Sequence, residues 1–308
     1  MERLDGSSAV PGRYRGGVVA LGNFDGFHQG HQAVVGHAVA RARATGRPAI
    51  VATFDPHPQR FFNPDAPPFR LTSLDQRQRL FAAAGADAML VFPFDHELAS
   101  LTAEAFIAER LAAMVGASLV VTGEDFTFGQ KRGGNAGVLA DIGPRYGITA
   151  ETVGPVSDAG GVISSTRVRE ALKAGDMAEA TRLLTRPFAI EGMVRHGGKL
   201  GRTIGYPTAN LDVGPYQRPA YGIYAVRARL PDGRMLDGAA SLGIRPTFDP
   251  PREWLEPFFF DFDGDLYGQT IEVSLIDYLR PEVKFDNLED LIAQMEQDCL
   301  RARAILAP

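Results

Sequence analysis

The sequence predicts an α/β domain built on a parallel sheet, followed by an all-β domain: a small antiparallel barrel closed by a terminal helix. Three observations carry that expectation. At 308 residues, and about 150 residues per domain, the chain has room for two cores. Its first half alternates short apolar runs with helical periodicity, the β-α-β order that produces parallel sheets. After Arg186-Pro187 the pattern changes to short strands with close-set turns, which places the boundary there and gives domains of residues 1–185 and 186–308.

The elements follow in order. Val18–Leu21 is a β-branched run ending at Gly22, and Val34, Val35, Ala38, Val39 and Ala42 then recur on one face of a helix that Gly46 can close. Residues 48–54 read as a second strand. Ser73 with Gln76 offers a capping box for a helix through Ala84, residues 89–92 form another strand, and 102–115 are an amphipathic helix. Strand 119–122, a short helix around 138–142 and strand 149–153 complete the sheet. Residues 173–184 are helical. In the second half, strands are expected over 189–194, 221–230, 236–242, 258–262 and 271–278, with turns at Pro231-Asp232-Gly233 and Asp263-Gly264-Asp265. Asp286 with Glu289 can start the final helix, on which Leu288, Leu291, Ile292, Met295 and Cys299 share helical spacing.

Composition narrows the function classes. With 45% hydrophobic and 22% charged residues the chain is globular, and its net charge of −5 argues against a general attraction to nucleic acid or an anionic membrane. Any phosphate must be held locally. Cys299 is the one cysteine, which excludes an internal disulfide framework and any multi-cysteine metal site; its helical spacing makes it core and not a nucleophile. Neither a signal-peptide pattern nor a run of about 20 apolar residues is present, so the expected location is the cytoplasm.

In an open parallel sheet the chemistry lies beyond the carboxyl ends of the strands. At the end of the first predicted strand stands Gly22-Asn23-Phe24-Asp25-Gly26-Phe27-His28-Gln29-Gly30-His31, leading directly into a helix. Glycines admit a ligand close to the backbone, a helix N-terminus favours anions, and both imidazoles can donate to phosphate oxygens. A lone histidine in a fold is usually a packing residue, but two histidines three apart in a glycine-rich turn point to a phosphate site. Metal binding is the competing reading and lacks an evident third ligand. A P-loop and a dinucleotide fingerprint are both missing: Gly198-Lys199 is followed by Leu200.

His28-Gln29-Gly30-His31 resembles the H-x-G-H signature of the nucleotidyltransferase superfamily, and Ile163-Ser164-Ser165-Thr166-Arg167-Val168-Arg169 resembles its I-S-S-T-x-x-R signature. The resemblance implies a Rossmann-like domain that binds ATP, with Gly22, Asn23, Phe24, Asp25, Gly26, Gly30, Ser164, Ser165 and Thr166 around the nucleotide. Nucleotidyl transfer to a phosphate accumulates negative charge on several oxygens, and the acceptor is already ionised, so donors without a strong base suffice. His28 and His31 are expected on the triphosphate and Arg169 on the departing pyrophosphate. Taken alone, the Ser-Ser-Thr run would be an N-cap and Arg169 a solvent-facing side chain.

Two stretches narrow the acceptor. The loop from Gly123 to Asn135, with Asp125, Phe126, Phe128, Lys131 and Arg132, and the run Phe54-Asp55-Pro56-His57-Pro58 are similar to the flavin-adenylylating members, which make FAD from FMN and ATP. Pro56, His57, Pro58, Asp125, Phe126 and Phe128 are then flavin contacts. Simple core alternation at period two explains Phe126 and Phe128 equally well, and His57 equally fits a turn between prolines.

In the second half, Gly201-Arg202-Thr203-Ile204-Gly205-Tyr206-Pro207-Thr208-Ala209-Asn210 combines glycines and a base with a hydroxyl and an amide at i and i+2. In extended chain Thr208 and Asn210 point to one side and offer oxygens suited to Mg2+. A glycine-rich turn entering a strand is the bland alternative. The segment resembles riboflavin kinase, as do residues 261–268 and 278–286. That resemblance implies nucleotide contacts from Gly201, Arg202, Gly205, Pro207 and Thr208, metal contacts from Thr208 and Asn210, flavin contacts from Arg280 and Phe285, and a catalytic base at Glu256. An alcohol is a weak nucleophile whose proton needs an acceptor, so a carboxylate is chemically apt. Pro257 and Phe258 depart from the Val or Thr and His usual after that glutamate, and Ser241 stands where many relatives carry Asn.

The two resemblances together cover nearly the whole chain and imply the bifunctional riboflavin kinase/FAD synthetase family. The expected reactants are riboflavin, FMN, FAD and Mg2+ with ATP, with ADP and pyrophosphate as by-products; nucleic acid and membrane are not expected partners. Two other readings stay open: a nucleotidyltransferase for another phosphorylated acceptor, and a non-catalytic flavin-binding or regulatory protein.

Overall fold

The computed structural model describes residues 1–196, 205–245 and 252–307, which fall into two compact units. The first comprises Met1–Pro67 and Leu74–Ser164; the second comprises Pro68–Ser73 and Ser165–Pro308.

Six strands form the sheet of the first unit: β1 (Glu2–Asp5), β2 (Val18–Leu21), β3 (Ala49–Asp55), β4 (Ala88–Pro93), β5 (Leu119–Gly123) and β6 (Thr149–Val153). Their order is β1-β4-β3-β2-β5-β6, and every pairing is parallel. The central strands are apolar throughout because both faces are covered. Val19, Leu21, Ile50, Ala52 and Leu90 face one core, and Val18, Ala20, Val51 and Met89 face the other. Helix α1 (Gln29–Thr45) buries the five residues its periodicity marks, and Gly46 ends it at φ 63°, the left-handed conformation glycine adopts without strain. Short helix α2 is Pro58–Phe62, α3 is Leu74–Ala83 and α4 is His96–Ser100. The predicted 102–115 helix starts with Thr102 capping the Ala105 N–H (3.1 Å); α5 (Ala103–Ala105) then widens into a π-helical run over Phe106–Val115. The chain leaves β2 for β3 and β4 on one side and returns to β5 on the other, so the switch point of the sheet lies between β2 and β5. After α6 (Ala136–Ile142) and β6, the unit ends in the ribbon β7 (Ser157–Asp158) and β8 (Gly161–Val162).

In the second unit α7 (Ser165–Ala174) follows the Ser-Ser-Thr run, and the predicted 173–184 helix starts later than expected, as α8 (Met177–Leu184), because the chain turns at Gly175, φ 75°. The barrel strands are β9 (Phe188–Arg195), β10 (Asn210–Asp212), β11 (Gly222–Arg229), β12 (Met235–Arg245), β13 (Arg252–Phe259) and β14 (Thr270–Arg280). All are antiparallel, and the β10 to β9 pairing closes the order β10-β13-β12-β11-β14-β9. The predicted strand 258–262 is displaced: β13 begins at Arg252, and Asp261, at φ 53°, stands in the turn beyond it. The aromatic run points to a strand at 258–262, whereas Leu255, fully buried and paired with Leu211 and Leu242, lies at the centre of the strand that forms.

Asn287, not Asp286, caps the terminal helix α9 (Leu288–Leu306), accepting from the Asp290 N–H (2.8 Å). Burial, then the nearby Asp298 charge, pushes the Cys299 thiol up to about 11. It is therefore a neutral thiol at pH 7. Native protein is expected to resist iodoacetamide at neutral pH and to label in urea; full labelling of the folded chain at pH 7 would contradict this.

Candidate functional site

The turn after β2 is tightly buried. Phe24 and Phe27 have φ of 48° and 46°, and Gly26 lies between them at 88°. Left-handed backbone at two phenylalanines within four residues is costly, whereas Gly26 adopts it freely, and the packing explains how the phenylalanines are held. Phe24 and Phe27 both meet Phe81 of α3 edge-on, at 5.9 and 5.1 Å between centroids. Below them, the Asn23 carbonyl accepts from the Thr53 hydroxyl (2.9 Å) and from Arg77 (3.2 Å), and Arg77 also donates to Thr53 Oγ1 (2.9 Å). Asp25 is buried as well.

This turn delivers the histidines. His28 precedes the first turn of α1 and is 6% exposed; His31 sits one turn along, and the imidazoles stack at 3.7 Å with planes 24° apart. Phe24 packs edge-on against His31 at 5.4 Å. A Cβ at Gly30 would come within 3.1 Å of the His28 ring and 3.4 Å of the Ile163 carbonyl, so only glycine leaves the pair undisturbed. Ile163, the start of the second signature, thus flanks the first. Two stacked imidazoles at a helix N-terminus form a compact donor pair suited to phosphate. Arg77, only 3% exposed, is a structural residue that sequence reasoning missed; its spacing with Leu74 and Phe81 on one face of α3 was the available signal.

Neighbouring strand ends carry the flavin candidates. After β3, Pro56 is exposed, and His57 caps α2 by accepting from the Gln59 N–H on Nδ1 (3.1 Å), with Pro58 as the first helical residue. Phe61, Phe62, Phe94 and His96 form a contiguous aromatic cluster next to it, and Phe62 is largely exposed. After β5, Asp125 is exposed and Phe126 half-buried, while Phe128 lies in the core against Phe106 at 5.5 Å. Phe128 and Gly134 exchange backbone hydrogen bonds (3.0 and 2.9 Å), which closes this loop on itself.

The second signature opens α7. Ser164 and Ser165 are half-buried and Thr166 is exposed. Arg167 donates to Glu179 of α8 (2.6 Å). Arg169 is not a solvent-facing side chain: its Nε donates to the Phe69 carbonyl (2.8 Å), and its guanidinium stands 5.3 Å from the Phe69 ring centre.

On the barrel, Glu256 stands mid-strand in β13, paired with Ser241 of β12, and is half-buried. Pro257 does not break the strand: it pairs with Ala240, and its carbonyl accepts from the Ala209 N–H (2.9 Å). That bond brings Thr208 and the buried Asn210 alongside the stretch that carries Glu256. Phe258 packs against Tyr206 at 5.1 Å. The Ser241 hydroxyl donates to a second carboxylate, Glu282 (3.0 Å), from the 278–286 stretch. Gly205 is exposed at φ 85° and Pro207 is exposed; Gly201 and Arg202 lie outside the described residues. Among the described residues no group of three His, Cys, Asp or Glu could hold a metal. The Thr208 and Asn210 oxygens are neutral donors, a set that fits Mg2+ when nucleotide phosphates supply the anionic ligands.

Arg280 and Phe285 lie together beside the terminal helix. Arg280 forms a paired ion bridge with Asp298 of α9, Nε to Oδ1 at 2.9 Å and Nη2 to Oδ2 at 2.6 Å, with Phe285 5.9 Å from the guanidinium. Asp298→Ala would leave a largely buried guanidinium without its counter-charge and is expected to cost about 3–5 kcal/mol, read as a lowered urea midpoint. An unchanged midpoint would show that the bridge contributes nothing.

A parallel α/β unit with an imidazole pair at its switch point, followed by a barrel with a carboxylate beside neutral oxygen donors, defines a two-centre transferase. Residues 11–167 match the FAD synthetase family model and residues 184–306 the riboflavin kinase model. Bifunctional riboflavin kinase/FMN adenylyltransferase of Escherichia coli K12 is 40% identical over 94% of this chain and 92% of its own. The enzyme of that name from Pseudomonas fluorescens is 38% identical over 100% and 99%. The chain belongs to the bifunctional riboflavin kinase/FMN adenylyltransferase family. A crystal structure described as a macrolide-efflux protein from Streptococcus pneumoniae superposes with a TM-score of 0.85 at 34% identity, covering 97% of both chains. Among the described residues of this chain, no helix is long and apolar enough to cross a membrane.

Proposed function

We propose that this chain phosphorylates riboflavin to FMN with ATP and then adenylylates FMN to FAD with a second ATP, releasing ADP and pyrophosphate respectively. The two steps are assigned to residues 186–308 and 1–185, a division by signature and not by compact unit. The single observation that carries the reading is the match of both family models in one chain, each over its own half. Function follows from sites and not from folds alone, and the clusters support it.

In the adenylylation step, the FMN phosphate attacks the α-phosphorus of ATP, and the bond to the β-phosphate oxygen breaks. His28 and His31 hold the triphosphate through N–H donation, and Arg169 takes up charge on the leaving pyrophosphate. Residues 56–58, Asp125 and Phe126 orient the flavin; Phe128, being core, shapes the loop from beneath. In the kinase step, Glu256 accepts the proton of the ribityl hydroxyl as the hydroxyl oxygen attacks the γ-phosphorus and the bond from that phosphorus to the β-phosphate oxygen breaks, so that ADP leaves. Thr208 and Asn210, with the nucleotide, would hold Mg2+, which would supply countercharge there. Riboflavin and Mg-ATP are cytoplasmic metabolites, and the cytoplasm is the proposed location.

Chromatography of the flavins formed from riboflavin and Mg-ATP tests the reading. FMN followed by FAD is expected. FMN alone would confine catalysis to the barrel, and flavin binding without product would mark a non-catalytic protein.

A further inference from the structure

The second compact unit includes six residues from far upstream, Pro68–Ser73, whose sequence neighbours on either side belong to the first unit. This segment lies along the barrel's 213–217 loop. The Arg70 N–H donates to the Pro215 carbonyl (3.1 Å), and the Arg70 carbonyl accepts from the Gln217 N–H (2.7 Å). At the downstream end, the Ser73 hydroxyl donates to the Glu191 carboxylate of β9 (2.8 Å), while the Glu191 N–H donates to the Tyr216 hydroxyl (3.3 Å). Tyr216 is buried against Phe188. The loop is pinned in its turn by Arg218, which donates to the Gly214 carbonyl (2.9 Å) and to Glu253 of β13 (2.7 Å). At the upstream end stands Phe69, whose carbonyl and ring together hold Arg169.

An arginine side chain loses rotamer freedom when fixed, and a cation aimed in advance at developing charge acts without reorganising. Here the Phe69 carbonyl and ring contact the guanidinium, and the strap that carries Phe69 is bonded to the barrel loop. We infer that the 68–73 strap, docked on the kinase barrel, orients Arg169 for adenylyl transfer, which makes Phe69, Ser73 and Glu191 positioning residues for a reaction they do not touch. The inference rests on the proposed role of Arg169 at the pyrophosphate.

The test uses the full chain with Phe69→Ala, Phe69→Tyr and Ser73→Ala, assayed for FMN formation, FAD formation and the reverse reaction of FAD with pyrophosphate. Phe69→Ala is expected to lower kcat for FAD formation about 10-fold and to raise KM for pyrophosphate in the reverse direction by a similar factor, with KM for FMN unmoved, since small misplacements of a catalytic group carry losses of this order or more. Phe69→Tyr should restore both, and Ser73→Ala should move them in the same direction by about 3-fold, on the order of one lost hydrogen bond. FMN formation should persist in all three. Wild-type values of both parameters in Phe69→Ala and Ser73→Ala would reduce the strap to a linker and overturn the inference. If Phe69→Ala loses FMN formation as well, its fold is damaged and Ser73→Ala alone decides. A wild-type chain that makes no FAD defeats the functional reading beneath; a wild-type chain that does, beside unmoved variants, defeats this inference only.

Discussion

His28→Ala is expected to reduce FAD formation from FMN by about 10²–10³-fold while FMN formation from riboflavin continues, the loss typical of removing one preorganised donor from a developing oxyanion. The expectation comes from position. His28 is almost fully buried by the turn after β2, lies stacked on His31 at 3.7 Å, and is kept there by a glycine whose Cβ would crowd the ring. A side chain held so firmly gives up little freedom in the transition state, so its deletion should appear mainly in kcat. His28→Asn, which retains an N–H donor of shorter reach, should lose less. Initial rates with FMN and Mg-ATP, beside riboflavin phosphorylation by the same preparation, separate chemistry from misfolding. Unchanged FAD formation in His28→Ala would remove the imidazoles from the mechanism.

That site was legible because its signal is local. The glycines, the histidines and the apolar face of α1 fall within 25 residues, and periodicity of Val34, Val35, Ala38, Val39 and Ala42 alone fixes which way the helix faces. Legibility fails where partners are distant in sequence. Nothing near Arg77 announces that it will hold the carbonyl of Asn23, nor does Ser73, readable as a helix cap, announce Glu191. β1 escaped because Glu-Arg-Leu-Asp offers a single apolar residue and pairs on one side only, with β4. β13 was shifted because Pro257 argues against a strand locally, whereas the barrel accommodates it by using its carbonyl and not its missing N–H. The reach of the flavin residues was likewise ambiguous: alternation assigned Phe126 and Phe128 equally to ligand and core, and the fold buries Phe128.

Glu256→Gln is expected to lower FMN formation from riboflavin by about 10²–10⁴-fold and to leave conversion of FMN to FAD intact, because a primary alcohol needs a proton acceptor that an amide cannot supply. Two carboxylates lie near Ser241, however, and they are distinguishable. Glu282 already accepts from the Ser241 hydroxyl (3.0 Å), a bond that directs it toward β12, whereas Glu256 lies on β13 beside the Ala209 to Pro257 bond that aligns Thr208 and Asn210. A base must share its site with the nucleotide phosphates, and the Thr208 and Asn210 oxygens, proposed to hold Mg2+, would mark where those phosphates belong. Glu282→Gln should therefore cost no more than about 10-fold, as an orienting neighbour would. Glu256→Asp, which keeps the carboxylate but withdraws it by one methylene, should fall between wild type and Glu256→Gln. If Glu256→Gln phosphorylates riboflavin at the wild-type rate while Glu282→Gln does not, the base is Glu282, and the register of β13 against β12 serves to support it.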